Sequence, residues 1–131
     1  MELDMRKTKA AAFYEFWSDF GLPVYEENSV PTGDEAPFFP YLTYSVATDS
    51  FGSEVVLSAS LWYRDSSWLS INAKAEEISQ AIGRSGVFLK CEGGAIWIKR
   101  GTPFAQSMGD PEDGSIKRKY LNVAVEFLTA D

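Results

Sequence analysis

Apolar and polar positions alternate most cleanly near the end of the chain. From Lys117 to Leu128 (KRKYLNVAVEFL), Leu121, Val123, Val125 and Phe127 fall on one side of an extended strand. Tyr120, Asn122, Ala124 and Glu126 fall on the other, which predicts a strand with one core face and one wetter face. Ala95–Arg100 (AIWIKR) reads the same way. Further upstream, Glu54–Asp65 alternates Val55, Leu57, Ala59, Leu61 and Tyr63 against Glu54, Val56, Ser58, Ser60, Trp62 and Arg64. Shorter strands are expected at Tyr41–Ala47 and Gly86–Cys91. The polar turn Thr48–Ser53 should join the first pair of strands as a hairpin, and Glu92-Gly93-Gly94 should turn Cys91 into Ala95.

Two segments change period. Trp68, Ile71, Ala75, Ile78 and Ile82 recur at helical spacing, with Lys74, Glu77 and Gln80 off the stripe. Ser66 or Ser67 offers an N-cap oxygen, and Gly83 a C-terminal stop. An earlier helix is expected from about Lys7 to Phe20, with Phe13, Phe16, Trp17 and Phe20 on one face and Gly21 and Pro23 ending it. Residues 26–39 read as an irregular acidic connector. The predicted order is α-β-β-α-β-β-β: an α+β fold of about five mostly antiparallel strands, with two helices packed on one face. Residues 1–131 are expected to form a single domain.

Between the last two strands lies Gly101–Ile116 (GTPFAQSMGDPEDGSI), which shows neither helical nor strand periodicity. Hairpin loops usually take about 2–5 residues, so an extended loop at 101–116 predicts a contact element. Its Phe104 and Met108 are apolar anchors of the sort found at interface centres. The oligomer-interface residues expected from this loop and the adjoining strand ends are Arg100, Thr102, Phe104, Met108, Asp110, Glu112, Asp113 and Lys117.

Composition narrows the chemistry. The 131 residues contain no histidine and one cysteine, Cys91. That removes imidazole-based triads, imidazole zinc sites, CxxC pairs and any intramolecular disulfide. Cys91 reads as a small hydrophobe at a strand end. Ile82–Gly86 follows a helix rather than preceding one, so it is a turn and not a phosphate cradle. Asp110–Gly114 resembles a calcium loop only loosely, because the twelfth position, where a closing Glu belongs, is Leu121. Neither a metal, a cofactor nor an enzymatic activity is expected. The remaining carboxylates from which a hydrolase could draw a pair, Asp49, Glu54 and Asp65, have no distinguishing spacing.

The net charge of -7 is unevenly placed: residues 21–60 hold six acidic side chains and no Lys or Arg. The one basic run is Lys117-Arg118-Lys119, which would lie beside Lys99-Arg100 if their strands pair; it reads as a solvated strand end rather than a nucleic-acid stripe. An aromatic share of 15% exceeds what a core of this size needs and predicts rings at a surface. One use for them would be a small-molecule pocket between the first helix and the sheet, walled by Phe13, Trp17, Trp62 and Trp97. No apolar h-region opens the sequence and no apolar run is long enough to span a bilayer, so neither secretion nor a membrane partner is expected.

Several local strings carry a resemblance. Phe20–Tyr25 (FGLPVY) closes the first helix, Pro40–Tyr44 (PYLTY) opens the sheet, Leu61–Arg64 (LWYR) leads into the second helix, and Ala95–Gln106 (AIWIKRGTPFAQ) follows. With the order of elements, they resemble the small tail-terminator or tail-completion proteins of long-tailed (siphoviral) bacteriophages and prophages. The resemblance covers nearly the whole chain and contains no catalytic motif. It implies a non-enzymatic role: a homo-hexameric ring that caps the tail tube and joins it to the head. The implied partners are further copies of the chain, the major tail tube protein and head–tail connector proteins, with no specific nucleic acid. The implied location is the host cytoplasm during assembly, then the virion tail. It also implies that the 101–116 loop is mobile in the free subunit and ordered against a neighbour.

Overall fold

The computed structural model describes residues 7–49 and 51–130. Helix α1 spans Lys9–Ser18, opened by Thr8, whose hydroxyl accepts the Ala11 N–H at 3.0 Å. Strands β1 (Val24–Glu26), β2 (Tyr41–Tyr44) and β3 (Glu54–Arg64) follow. Then come helix α2 (Leu69–Ile82) and strands β4 (Val87–Cys91), β5 (Gly94–Gly109) and β6 (Ile116–Thr129). The six strands form one sheet in the order β1-β2-β3-β6-β5-β4. All neighbours are antiparallel except β1 and β2.

The class is therefore the α+β fold read from the sequence, with one strand more. β1 pairs over three residues, with Val24 beside Leu42, and lies between the helix-ending Pro23 and the connector read from residue 26 onward. So short a parallel strand leaves no alternation to detect. The polar turn between β2 and β3 includes Ser50, which lies outside the described residues.

Both apolar stripes meet the same sheet face. Leu121, Val123, Val125 and Phe127 of β6 are buried with Leu61 of β3 and Ile96 and Ile98 of β5. Phe13 and Trp17 of α1 close one half, where Phe13 meets Phe127 edge-on at 6.2 Å and Trp17 stacks on Tyr44 at 6.5 Å. Ile71, Ala75, Ile78 and Ile82 of α2 close the other. Fully burying one such side chain stabilises a fold by about 1.5–3 kcal/mol, so this face holds the main apolar core of the described residues.

The entry to α2 is held in two steps. Asp65 Oδ1 accepts the Ser67 N–H at 3.2 Å, and Ser67 Oγ accepts the Leu69 N–H at 3.0 Å. Trp68 occupies the N-cap position without a side-chain cap, so Ser67 supplies its oxygen from one residue earlier than a standard cap. Gly83 ends the helix at φ 75.

The largest difference from the sequence reading concerns residues 101–116. They are not an extended loop. β5 continues to Gly109 and pairs again with β6, Ala105 facing Leu121 and Gly109 facing Lys117. Alternation is lost because four residues, Gly101–Phe104, bulge opposite Asn122 alone, between the pairs Arg100–Val123 and Ala105–Leu121. Asn122 Nδ2 donates to the Pro103 carbonyl at 3.1 Å and pins the bulge. Gly101 is required there: a Cβ would stand 2.8 Å from the Asn122 carbonyl oxygen. The true turn is residues 110–115.

Candidate functional site

With both helices on one side, no helix among the described residues covers the opposite sheet face, and cross-strand register sorts its side chains into rows. Tyr41, Trp62, Arg118 and Met108 form one row across β2, β3, β6 and β5. Tyr41 stacks on Trp62 at 6.1 Å with the ring planes 16° apart, and Phe39 and Tyr25 pack on Tyr41. Arg118 lies 4.8 Å from the Trp62 ring and 5.2 Å from Tyr120, a cation–π sandwich on a partly exposed surface. Burial, then the Tyr25 hydroxyl nearby, push the Tyr41 phenol above its ordinary 10.0.

The neighbouring row, Thr43, Ser60 and Tyr120, anchors the first. Trp62 Nε1 donates to Thr43 Oγ1 at 2.9 Å and Arg118 Nε to Ser60 Oγ at 3.0 Å. These two bonds fix the polar atoms of Trp62 and Arg118, whose flat faces stack along the row against Tyr41, each other and Tyr120. Such a surface is pre-organised: little side-chain entropy remains to be lost when something covers it.

Towards the other end of the face, Val56 (73% exposed) aligns with Ala124 and Lys99. Beside them Phe88 stacks on Trp97 at 5.3 Å, and Lys99 sits 4.4 Å above Trp97. Lys99 also donates to Glu54 at 2.7 Å, and this bond above all holds its ammonium pKa above the usual value.

The hairpin tip borders the first row. Trp62, Met108, Pro111, Ile116 and Arg118 line a shallow depression of about 330 Å³. The turn itself is heavily bonded. Asp110 Oδ1 accepts the N–H groups of Glu112 and Asp113 at 2.8 and 3.1 Å. Asp113 takes the Ser115 hydroxyl at 2.7 Å and Arg64 Nη1 at 2.8 Å; Ser115 first and Arg64 second lower its pKa from 3.8 to about 2. The Asp65 N–H donates to the Ser115 carbonyl at 2.8 Å.

The eight expected interface residues divide by environment. Thr102, Met108, Asp110 and Glu112 are exposed on the hairpin. Phe104 packs against the core, and Arg100 donates to Ser79 Oγ at 2.9 Å across to α2. Asp113 is engaged with Arg64. Lys117 is only 7% exposed, its ammonium bonded to the Gly114 carbonyl and its charge 5.4 Å from the Trp68 ring. Sequence reasoning placed Trp62 in a pocket wall and Arg118 in a solvated basic run, and missed the row they share with Tyr41, which depends on strand register. The signal available was the aromatic excess at outward-facing strand positions.

Three other expectations are settled by placement. Lys117–Lys119 face Ser107–Gly109, whereas Lys99 and Arg100 face Ala124 and Val123, so the basic residues form no common stripe. The expected pocket wall is not brought together: Phe13 and Trp17 of α1 are buried against the sheet, while Trp62 and Trp97 lie on the opposite sheet face. Glu54 and Asp65 sit at opposite ends of β3, one paired with Lys99 and the other capping Ser67. Cys91 is buried, and burial raises its thiol pKa. Among the described residues no helix is long and apolar enough to cross a membrane.

No protein-family model matches the sequence, and comparison with curated proteins finds no match. Among solved structures, the fold is similar to a chain of the virion of a native gene transfer agent particle, with a TM-score of 0.58 at 20% identity. The likeness covers 91% of this chain and 93% of that one. At this identity the comparison defines a shared α+β fold.

Proposed function

We propose that this protein is a structural component of a phage-like virion, and more specifically a tail-completion subunit. Copies assemble head to tail into a ring on the end of the tail tube and present the surface that meets the head. The observation that carries this reading is the fold likeness, over most of both chains, to a chain of a gene transfer agent virion. The arrangement of the surface supports it. A sheet with one face that no described helix covers, ordered aromatic and Arg side chains on that face, and a rigid hairpin beside them suit a subunit whose work is docking.

Head-to-tail contacts close a ring when the rotation per subunit divides a full turn, and they require two different patches on each copy. The hairpin tip, with Met108, Asp110 and Glu112, supplies one. In this reading the tip is preformed, so assembly costs less ordering entropy than a loop that folds on contact. The test is electron microscopy of tail tubes polymerised with and without the protein. Capped tubes that stop growing support the role; open tubes that keep elongating overturn it.

A further inference from the structure

The geometry points to a contact between two copies of this chain, in which Phe38 of one enters the depression beside Trp62 and Met108 of the next. The inference deepens the ring reading and rests on it only for closure of the ring. Phe38 is 91% exposed, the most exposed large apolar side chain among the described residues. Its neighbours hold it there. Pro37 and Pro40 restrict the backbone on either side. Phe39 packs on Tyr41 at 5.4 Å, and Arg64 lies 4.9 Å over the Phe39 ring. The segment is anchored through Phe39, and Phe38 projects into solvent as a knob.

The depression of about 330 Å³ has room for one such ring, against Trp62, Met108, Pro111 and Ile116, with Arg118 beside them. Its walls are already fixed: Thr43 holds Trp62, and Arg64 and Ser115 hold the adjoining turn through Asp113. An entering side chain therefore gains contact at little ordering cost. The Met108 thioether adds a favourable partner for an aromatic ring.

Charge selects the occupant. Arg118 donates to Ser60 and stacks on Trp62 and Tyr120, but makes no ion pair among the described residues. Asp110, the carboxylate in the same lining, accepts two N–H groups of its own turn. Asp34 and Glu35, just before Phe38 in the chain, are exposed and likewise make no ion pair among the described residues. One segment thus carries both the apolar knob and the acidic groups that Arg118 lacks.

Residues 1–6, 50 and 131 do not compete for the depression. They attach at the opposite end of the sheet, where Lys7 and Ala130 bond to the β4–β5 turn and Gly52 bonds to Phe127. From Thr129 at that end, β6 runs about 36 Å to Arg118, whereas six extended residues reach about 20 Å.

Knob and depression are different patches, so the contact is head to tail and each copy must supply both for a chain of contacts to grow. NMR on the full chain, with no tail tube present, tests it; failure here is separate from failure of the tail-completion role, which tube capping reads. Diluting wild type from about 1 mM should shift the Trp62 indole and Met108 methyl signals, as a contact of about millimolar affinity requires. Phe38→Asp and Met108→Asp should each weaken self-association about tenfold or more, with Ile98 and Val125 unchanged to show a folded core. Phe38→Trp should retain it. Unlabelled Met108→Asp, which keeps the knob, should restore the shifts when added to labelled Phe38→Asp, which keeps the depression. Wild-type spectra independent of concentration would overturn the proposal, as would shifts that survive in Phe38→Asp or a mixture that restores none. A wild-type complex that stops at two copies at saturation would overturn it too, by making the contact symmetric.

Discussion

Arg64 Nη1 lies 2.8 Å from Asp113 Oδ2, joining the end of β3 to the turn at the tip of the β5–β6 hairpin. Both side chains are about half exposed, so the pair adds little to global stability by itself. Its effect is local: with Ser115 it holds the turn in one shape. The Asp113 pKa reports on that shape. Because the folded value, about 2, lies below the ordinary 3.8, the stabilising effect is fully present above pH 3.8 and is lost as pH falls through about 2. NMR titration should show Asp113 moving back towards 3.8 in Ser115→Ala, and to a smaller extent in Arg64→Ala.

Gly101 tests the bulge. Replacement by Ala sets a Cβ 2.8 Å from the Asn122 carbonyl oxygen and 2.9 Å from its Cβ. Denaturant unfolding should show a loss of about 1–3 kcal/mol, the usual cost of forcing atoms into a packed site. Gly109→Ala meets nothing within 4 Å and should change stability by no more than about 0.5 kcal/mol.

Phe127 separates the two sheet faces. It is fully buried, so Phe127→Ala should cost about 3–5 kcal/mol in chemical denaturation. Met108→Asp, on the exposed hairpin, should stay within about 0.5 kcal/mol of wild type while preventing attachment to tail tubes. A large loss of subunit stability in Met108→Asp would give the hairpin a role within the fold instead.

Cys91 should behave as a packing residue. Burial shields its sulfur and raises its pKa, so reaction with a thiol reagent at mildly alkaline pH should be slow in the native protein. The rate should rise to that of a free thiol only in denaturant.

These contrasts also show what could be read from the sequence. The β6 alternation and the α2 stripe were legible because each buries one continuous face, and the position of Phe127 or Ile78 follows from period alone. The second half of β5 was not legible. Gly101–Phe104 break the alternation, and a strand resumes only because Ala105 regains a partner in Leu121. Read locally, Gly, Pro and acidic residues signal a loop; the ladder that overrides them lies sixteen residues away along the chain at that pair. The Tyr41–Trp62–Arg118 row was hidden for the same reason, since its members come from three strands. Lys117 looked like a solvated charge because nothing nearby in sequence announces Trp68.

Cryo-electron microscopy of tail-tube ends incubated with the purified protein tests the central claim most directly. The account predicts a closed ring of six copies at the tube end, each fitted by this fold, with the hairpin carrying Met108 and Glu112 against the adjacent copy. Bare tube ends, with a protein that stays a 14.6 kDa monomer in light scattering when tubes are present, would contradict it.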